Sequence, residues 1–179
     1  MSRIADELYF APNLRFAELD WTGGRLPTQF YQRISGFYLK PAIALARANH
    51  AFAAGVLVVC AIDALALLIT GSSSVRGRII AFCRNIPDLA SDQNANMFCE
   101  HFRNGLVHES RVKKGSEFSV DIRRVAVSDH ARLIVNPLFL AQSVTGRLKE
   151  YVEALHRDPT AKNAFRKKLK RKFRYELQH

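Results

Sequence analysis

Apolar residues recur at helical spacing from Phe30, and after Pro41 the run "AIALARANHAFAAGVLVVCAIDALALLIT" carries the pattern to Thr70, where Gly71 and three serines stop it. Pro41 is expected to kink or restart this helix, because proline lacks the backbone N–H and its ring crowds the preceding turn. Residues 51 to 70 are apolar on every side, with Asp63 as their one charge. That length permits a membrane span. Against it, much of the window is alanine, and a carboxylate near the middle costs about 2.5 to 3.5 kcal/mol on an insertion scale. The pattern predicts instead a buried helix at the centre of a soluble bundle, without stable membrane insertion.

A further helical stretch, "RGRIIAFCRNI", ends at Pro87, and "SDQNANMFCEHFRNGLVHE" opens on Ser91 and Asp92, both good N-cap types. In "SEFSVDI" the period changes to two, with Phe118, Val120 and Ile122 on one face, and "RVAVSDHARLIVN" follows it. Together they predict a small β-hairpin or ribbon over residues 116–136. Helical period returns after Pro137 in "PLFLAQSVTGRLKEYVEALHRD". Residues 1–29 mix aromatics with breakers such as Thr22-Gly23-Gly24 and Pro27, and read as an irregular lead-in. The expectation is therefore a mainly α fold: a bundle of four to five helices over 30–157, a β-hairpin insert after the "FCEHFRNGLVHE" helix, and a basic C-terminal helix over 158–179.

Composition adds bounds. A chain of 179 residues with 48% apolar and 24% charged content suits one folded domain. The odd set Cys60, Cys83 and Cys99 has no C-x-x-C spacing and sits in apolar stretches, so it predicts buried thiols in a reducing cytoplasm rather than disulfides or zinc. Early Asp6, Glu7 and Pro12 do not suit an export signal, which again points to the cytoplasm. Of the net charge of +11, +7 sits in the last nineteen residues, which hold eight Lys or Arg against one Glu. Such a run attracts polyphosphate backbones or an anionic membrane surface. Phe165, Leu169, Phe173 and Leu177 give the same segment a narrow apolar stripe. A solvated helix docked on its own domain explains the stripe, and Lys167, Lys168, Lys170, Arg171 and Lys172 are the candidate contacts to an RNA backbone.

The candidate chemistry lies in "FCEHFRNGLVHES", where Arg103, Asn104 and His108 follow His101 late in a helix. On an ideal wheel at 100° per residue, Phe98, Cys99, Phe102 and Leu106 form a core stripe, and Met97, His101, Asn104 and His108 form another. Arg103 and His108 stand about 140° apart on that wheel. A partner helix across a two-fold axis would let an arginine of one chain meet a histidine of the other. The set suits RNA cleavage without a metal or cofactor. An imidazole, ordinarily with a pKa near 6.5, can take a proton from a ribose 2′-hydroxyl or give one to the leaving 5′-oxygen. Arginine binds the scissile phosphate and stabilises its developing charge, while asparagine orients a partner by hydrogen bonding. The plainer reading is that Arg103 and His108 only meet exposed carbonyls near a helix end, where cations are favoured.

"RNGLVH", Arg103 to His108, resembles the R-x4-6-H signature of HEPN domains, in which a polar residue such as Asn commonly follows the Arg. The apolar helix ending "AIDALALL", the motif late in a subsequent helix and the closing helix extend the resemblance over roughly residues 30 to 157. It implies a HEPN-like helical bundle and a dimeric, metal-independent endoribonuclease of the toxin, phage-defence or RNA-processing kind, with a composite site between two motif helices. By that resemblance Arg103 and His108 take the catalytic roles and Asn104 a supporting one, and Asp63 matches an acidic position of the family's apolar helix; His101 is a further candidate for support, whose plainer reading is a surface or satisfied interface residue. A cognate antitoxin or regulatory protein is the partner such systems imply, beside RNA and a second copy of the chain. The alternative is a non-catalytic HEPN-type module that binds RNA, nucleotide or protein. The hairpin and the basic tail lie outside the resemblance.

Overall fold

The computed structural model describes residues 6–129 and 131–178, together with the backbone of Ser2–Ile4. The chain is mainly helical with two small sheets, and its backbone contacts divide it into two compact units. One unit joins the chain up to Phe37 with the chain from Arg147; the other runs from Tyr38 to Gly146.

The first unit opens on a meander that the sequence reading takes for an irregular lead-in. Strands β1 (Ser2–Ile4), β2 (Glu7–Ala11) and β3 (Leu14–Arg15) pair antiparallel in that order. Segments of two to five residues are too short for a period of two to stand out. Helix α1 (Leu26–Ile34) begins with Pro27 in its first turn, where a missing N–H leaves no bond unmade. The core is aromatic. Phe10 and Phe16 meet Phe173 edge-on at 5.5 and 5.9 Å between ring centroids, and Phe30 meets Phe165 at 5.4 Å. Arg33 closes the cluster, its guanidinium 5.0 Å from the Phe10 ring centroid and donating to the Phe10 carbonyl at 2.6 Å.

Helix α8 (Pro159–Lys172) belongs to this core; Asp158 caps it by accepting from the Thr160 and Ala161 amides. The expected stripe of Phe165, Leu169 and Phe173 is buried, whereas Leu177 is exposed. Lys167, Lys168, Lys170, Arg171 and Lys172 all lie on the exposed side. Because the stripe is already covered within its own unit, lying on a membrane would require α8 to leave that core.

In the second unit, α2 (Lys40–Arg47) packs against α3 (Ala51–Ile69), and α3 packs in turn against α4 (Val75–Cys83). Pro41 does not break the helix. A wide π-helical turn, Ser35–Leu39, precedes it and opens the backbone where the ring would crowd. The interruption comes instead at Asn49, whose φ is +63°. Helix α3 buries Val58, Ile62 and Leu65 completely but leaves Phe52, Cys60 and Leu67 exposed. By length and composition it could cross a membrane, and half of its apolar window is buried in the fold. Cys83 and Cys99 are buried as expected; Cys60 faces out, because it lies on the unpacked side of α3.

Helix α5 (Asp92–Met97) is capped by Ser91, passes into a π-helical turn, Phe98–Arg103, and continues as α6 (Asn104–Glu109). The expected hairpin is present as β5 (Ala126–Asp129) and β6 (Arg132–Val135), antiparallel, with β4 (Glu117–Phe118) added parallel to β6. The strand expected through Val120 and Ile122 stops at Phe118, since the buried Asn136 amide donates to the Val120 and Ile122 carbonyls and withdraws them from any ladder. The Asn136 side-chain oxygen also accepts from Leu138 and so starts α7 (Pro137–Arg157). Asp88, in the left-handed region at φ +64°, pairs with Arg124 and accepts from the Val125 amide at 3.0 Å, fixing the entry to β5. That pairing with Arg124 holds the Asp88 carboxyl below its ordinary value.

Two glycines give opposite expectations. A Cβ at Gly55 of α3 would lie 2.4 Å from the Phe118 ring, whereas one at Gly146 of α7 meets nothing within 4 Å. Gly146→Ala should therefore raise stability by about 0.5 to 1 kcal/mol through helix propensity. Gly55→Ala should lower it despite the same propensity gain, because the ring must move. Urea unfolding of both variants checks the difference in sign.

Candidate functional site

The π-helical turn governs the motif. The Asn104 amide donates to the carbonyl of Cys99, five residues back rather than four, so the helix carries one more residue in this turn than an ideal wheel allows. The polar stripe drawn from ideal angles consequently separates. Met97 and His101 are buried, Asn104 is half-buried and His108 is exposed. The widened turn also leaves the His101 carbonyl to accept from the Lys113 amide at 3.0 Å. The chain after Ser110, whose φ is +55°, runs back along the helix so closely that a Cβ on Gly105 would fall 2.4 Å from the Arg111 carbonyl oxygen.

His101 supports the fold rather than a reacting group. It is 3% exposed, and its Nδ1 lies 2.8 Å from the Ser116 Oγ, which itself accepts from the Leu133 amide at 2.9 Å. The Ser116 hydroxyl, with one lone pair taken by Leu133, keeps a second lone pair and its proton, so either tautomer of the ring can complete the bond to Nδ1. Burial, then the charge of Lys114, lowers the His101 pKa from its ordinary 6.5. The unfolded chain then binds a proton that the folded one refuses. The stability His101 provides is complete above pH 6.5 and is lost as pH falls below it. The melting temperature should fall from about pH 6.5 downward, and His101→Gln should flatten that slope. Carboxylates held low by the fold, such as Glu100 beside Lys114, add their own loss only below about 4.5.

Arg103 is held differently. Its Nη2 lies 3.4 Å from the Asp63 Oδ2 on α3, and its Nη1 donates to the Asn104 Oδ1 at 3.3 Å. Its side chain is 13% exposed and that of Asp63 is 35% exposed. Both contacts are long. Asp63 Oδ1 and Arg103 Nε, each buried, have no hydrogen-bond partner among the described residues. A carboxylate and an amide thus set the position of the guanidinium through long contacts, and its unengaged Nε faces the interior rather than solvent.

His108 lies in regular α-helix five residues after Arg103, and among the described residues no hydrogen bond or ion pair joins it to Arg103, Asn104 or Asp63. The structure thus brings Arg103, Asn104 and Asp63 together and leaves His108 and His101 apart from them. The link to Asp63, forty residues away, has a weak sequence signal, a single carboxylate in a long apolar helix. The link of His101 to Ser116 has none. The tail cations lie in the other unit. Among the described residues no group of three or more His, Cys, Asp or Glu side chains is placed to hold a metal ion. Comparison of the chain with protein-family models, with curated proteins and with solved structures finds no match.

Proposed function

We propose that the protein is a metal-independent endoribonuclease of HEPN type, cytoplasmic and homodimeric, that cleaves RNA by attack of a ribose 2′-hydroxyl on the adjacent phosphate. The observation that carries this reading is Arg103, a mostly buried guanidinium held at long distance by Asp63 and Asn104, with an exposed His108 five residues later on the same helix. Arg103 binds the scissile phosphate and His108 moves the proton. Since the two diverge within one chain, the working pair comes from two chains, and the exposed Val107, Cys60 and Leu67 give α6 and α3 an apolar face for a second copy. A toxin or phage-defence role, with a cognate antitoxin or regulator, follows from the same resemblance.

Single-stranded RNA incubated with purified protein in EDTA should yield fragments ending in a 2′,3′-cyclic phosphate and a 5′-hydroxyl. RNA left intact sinks the nuclease reading and favours the second one, a non-catalytic RNA-, nucleotide- or protein-binding module. That second reading is supported by the Arg103–Asp63 contact, which also serves simply to tie the motif helix to α3. The exposed cations of α8 supply affinity in either case. Replacing Lys167, Lys168, Lys170, Arg171 and Lys172 by glutamine should weaken RNA binding and flatten its salt dependence, while cleavage at saturating RNA persists. An unchanged salt slope would remove α8 from the RNA surface.

A further inference from the structure

The first unit contains a cleft of 710 Å³ that the proposed chemistry does not use. Phe16, Trp21 and Tyr175 line it on the aromatic side, and Asp6, Glu7 and Glu176 bring carboxylates to it. Among the described residues its one cation, Arg15, is already answered by Glu7 at 3.2 Å and Glu18 at 2.8 Å. The lining is therefore flat, apolar and rich in acceptors, and it repels phosphate.

Its neighbour has the opposite character. Lys170 Nζ stands 6.0 Å from the Trp21 ring centroid. Lys167, Lys170 and Arg171, all exposed, follow the i, i+3, i+4 spacing of one face of α8, and Arg174 is exposed in the turn that follows it. A ligand that satisfies both surfaces must be anionic along its length and carry neutral, flat, hydrogen-donating groups at its side. A single strand of nucleic acid has that form. A duplex hides its bases by stacking and pairing, and a basic peptide, which the carboxylates alone would attract, is repelled by α8. Among the bases, guanine presents N1–H and N2–H side by side, the pair that one carboxylate accepts together. Glu176, half-buried and in no ion pair among the described residues, is placed to accept them.

We infer that this cleft receives an unstacked base of single-stranded RNA, guanine in preference, while the flanking phosphates lie along the cationic face of α8. The inference rests on the RNA reading above but not on cleavage. Trp21 is the chain's only tryptophan, so its emission reports the cleft directly. The probes are 2′-O-methyl oligouridylates, with and without one central guanine, which lack the nucleophile and cannot be cleaved by the proposed route. The guanine strand should quench Trp21 saturably and bind more tightly than the all-uracil strand, and the matching duplex should not quench. Tyr175 is 69% exposed, so Tyr175→Ala should keep the fold while weakening binding of a labelled strand about tenfold in fluorescence polarisation. Glu176→Gln should abolish the preference for guanine. Tight binding without quenching, with full affinity in Tyr175→Ala, overturns the proposal and leaves the strand on α8 alone. Quenching by the duplex, or by an arginine-rich peptide in place of the strand, overturns it equally. Because no probe can be cut, none of these outcomes depends on Arg103 or His108.

Discussion

Replacing Arg103 or His108 by alanine is expected to slow RNA cleavage by at least about 10²-fold each, the loss typical of a charge-stabilising donor or a general acid–base group. Neither change should unfold the protein. His108 is exposed, and among the described residues the hydrogen bonds of the Arg103 side chain are two long ones, to Asp63 and to Asn104. The two inactive variants also test where the site assembles. Unfolded together and refolded, they should form mixed dimers in about half of random pairings. Each mixed dimer keeps one intact Arg103 and one intact His108, on opposite chains. Partial recovery of cleavage in EDTA supports a site shared between chains. A mixture that stays inactive, with mixed dimers demonstrated, means that the pair works within one chain or that both sites are needed, and the shared-site geometry fails.

The largest effect on stability is expected at Phe102, the residue immediately before Arg103. Its ring is fully buried, stacks on Phe98 at 5.5 Å with an interplanar angle of 15°, and meets Phe118 edge-on at 4.8 Å. Removing it deletes both ring contacts and opens a cavity between the π-helical turn and β4, so Phe102→Ala should cost about 3 to 5 kcal/mol in denaturant unfolding. Phe102→Leu should recover much of that. Val107→Ala, two residues after Gly105 and 58% exposed, should change stability little. A small cost for Phe102→Ala would mean that the turn is not anchored by this ring, and the placement of Arg103 beside Asp63 would lose its basis.

Much of the helical layout is legible in the chain itself. Apolar runs, Ser91 and Pro137 mark where helices begin, since caps and breakers act on their own neighbours and need no tertiary partner. The stripe of Phe165, Leu169 and Phe173 likewise announces that one side of α8 is covered. The positions of Arg103, Asn104 and His108 on one helix are legible for the same reason.

What they face is not. A π-helical turn is chosen by packing rather than by any local signal, and it sends His101 into the core beside Ser116, where ideal angles place it among the polar residues. Strand pairing is equally remote: β1 to β3 are too short to show a period, and β4 is ended by Asn136, eighteen residues further along the chain, rather than by a local pattern. The cleft beside Trp21 joins residues 6–21 to residues 175–177, the two extremes of the chain. Local rules determine which segments are helical and which side of each is apolar, because those depend on residues within one or two turns. Only the tertiary structure decides the neighbours of each polar group, because burial and hydrogen-bond satisfaction are settled between segments that the chain order keeps apart.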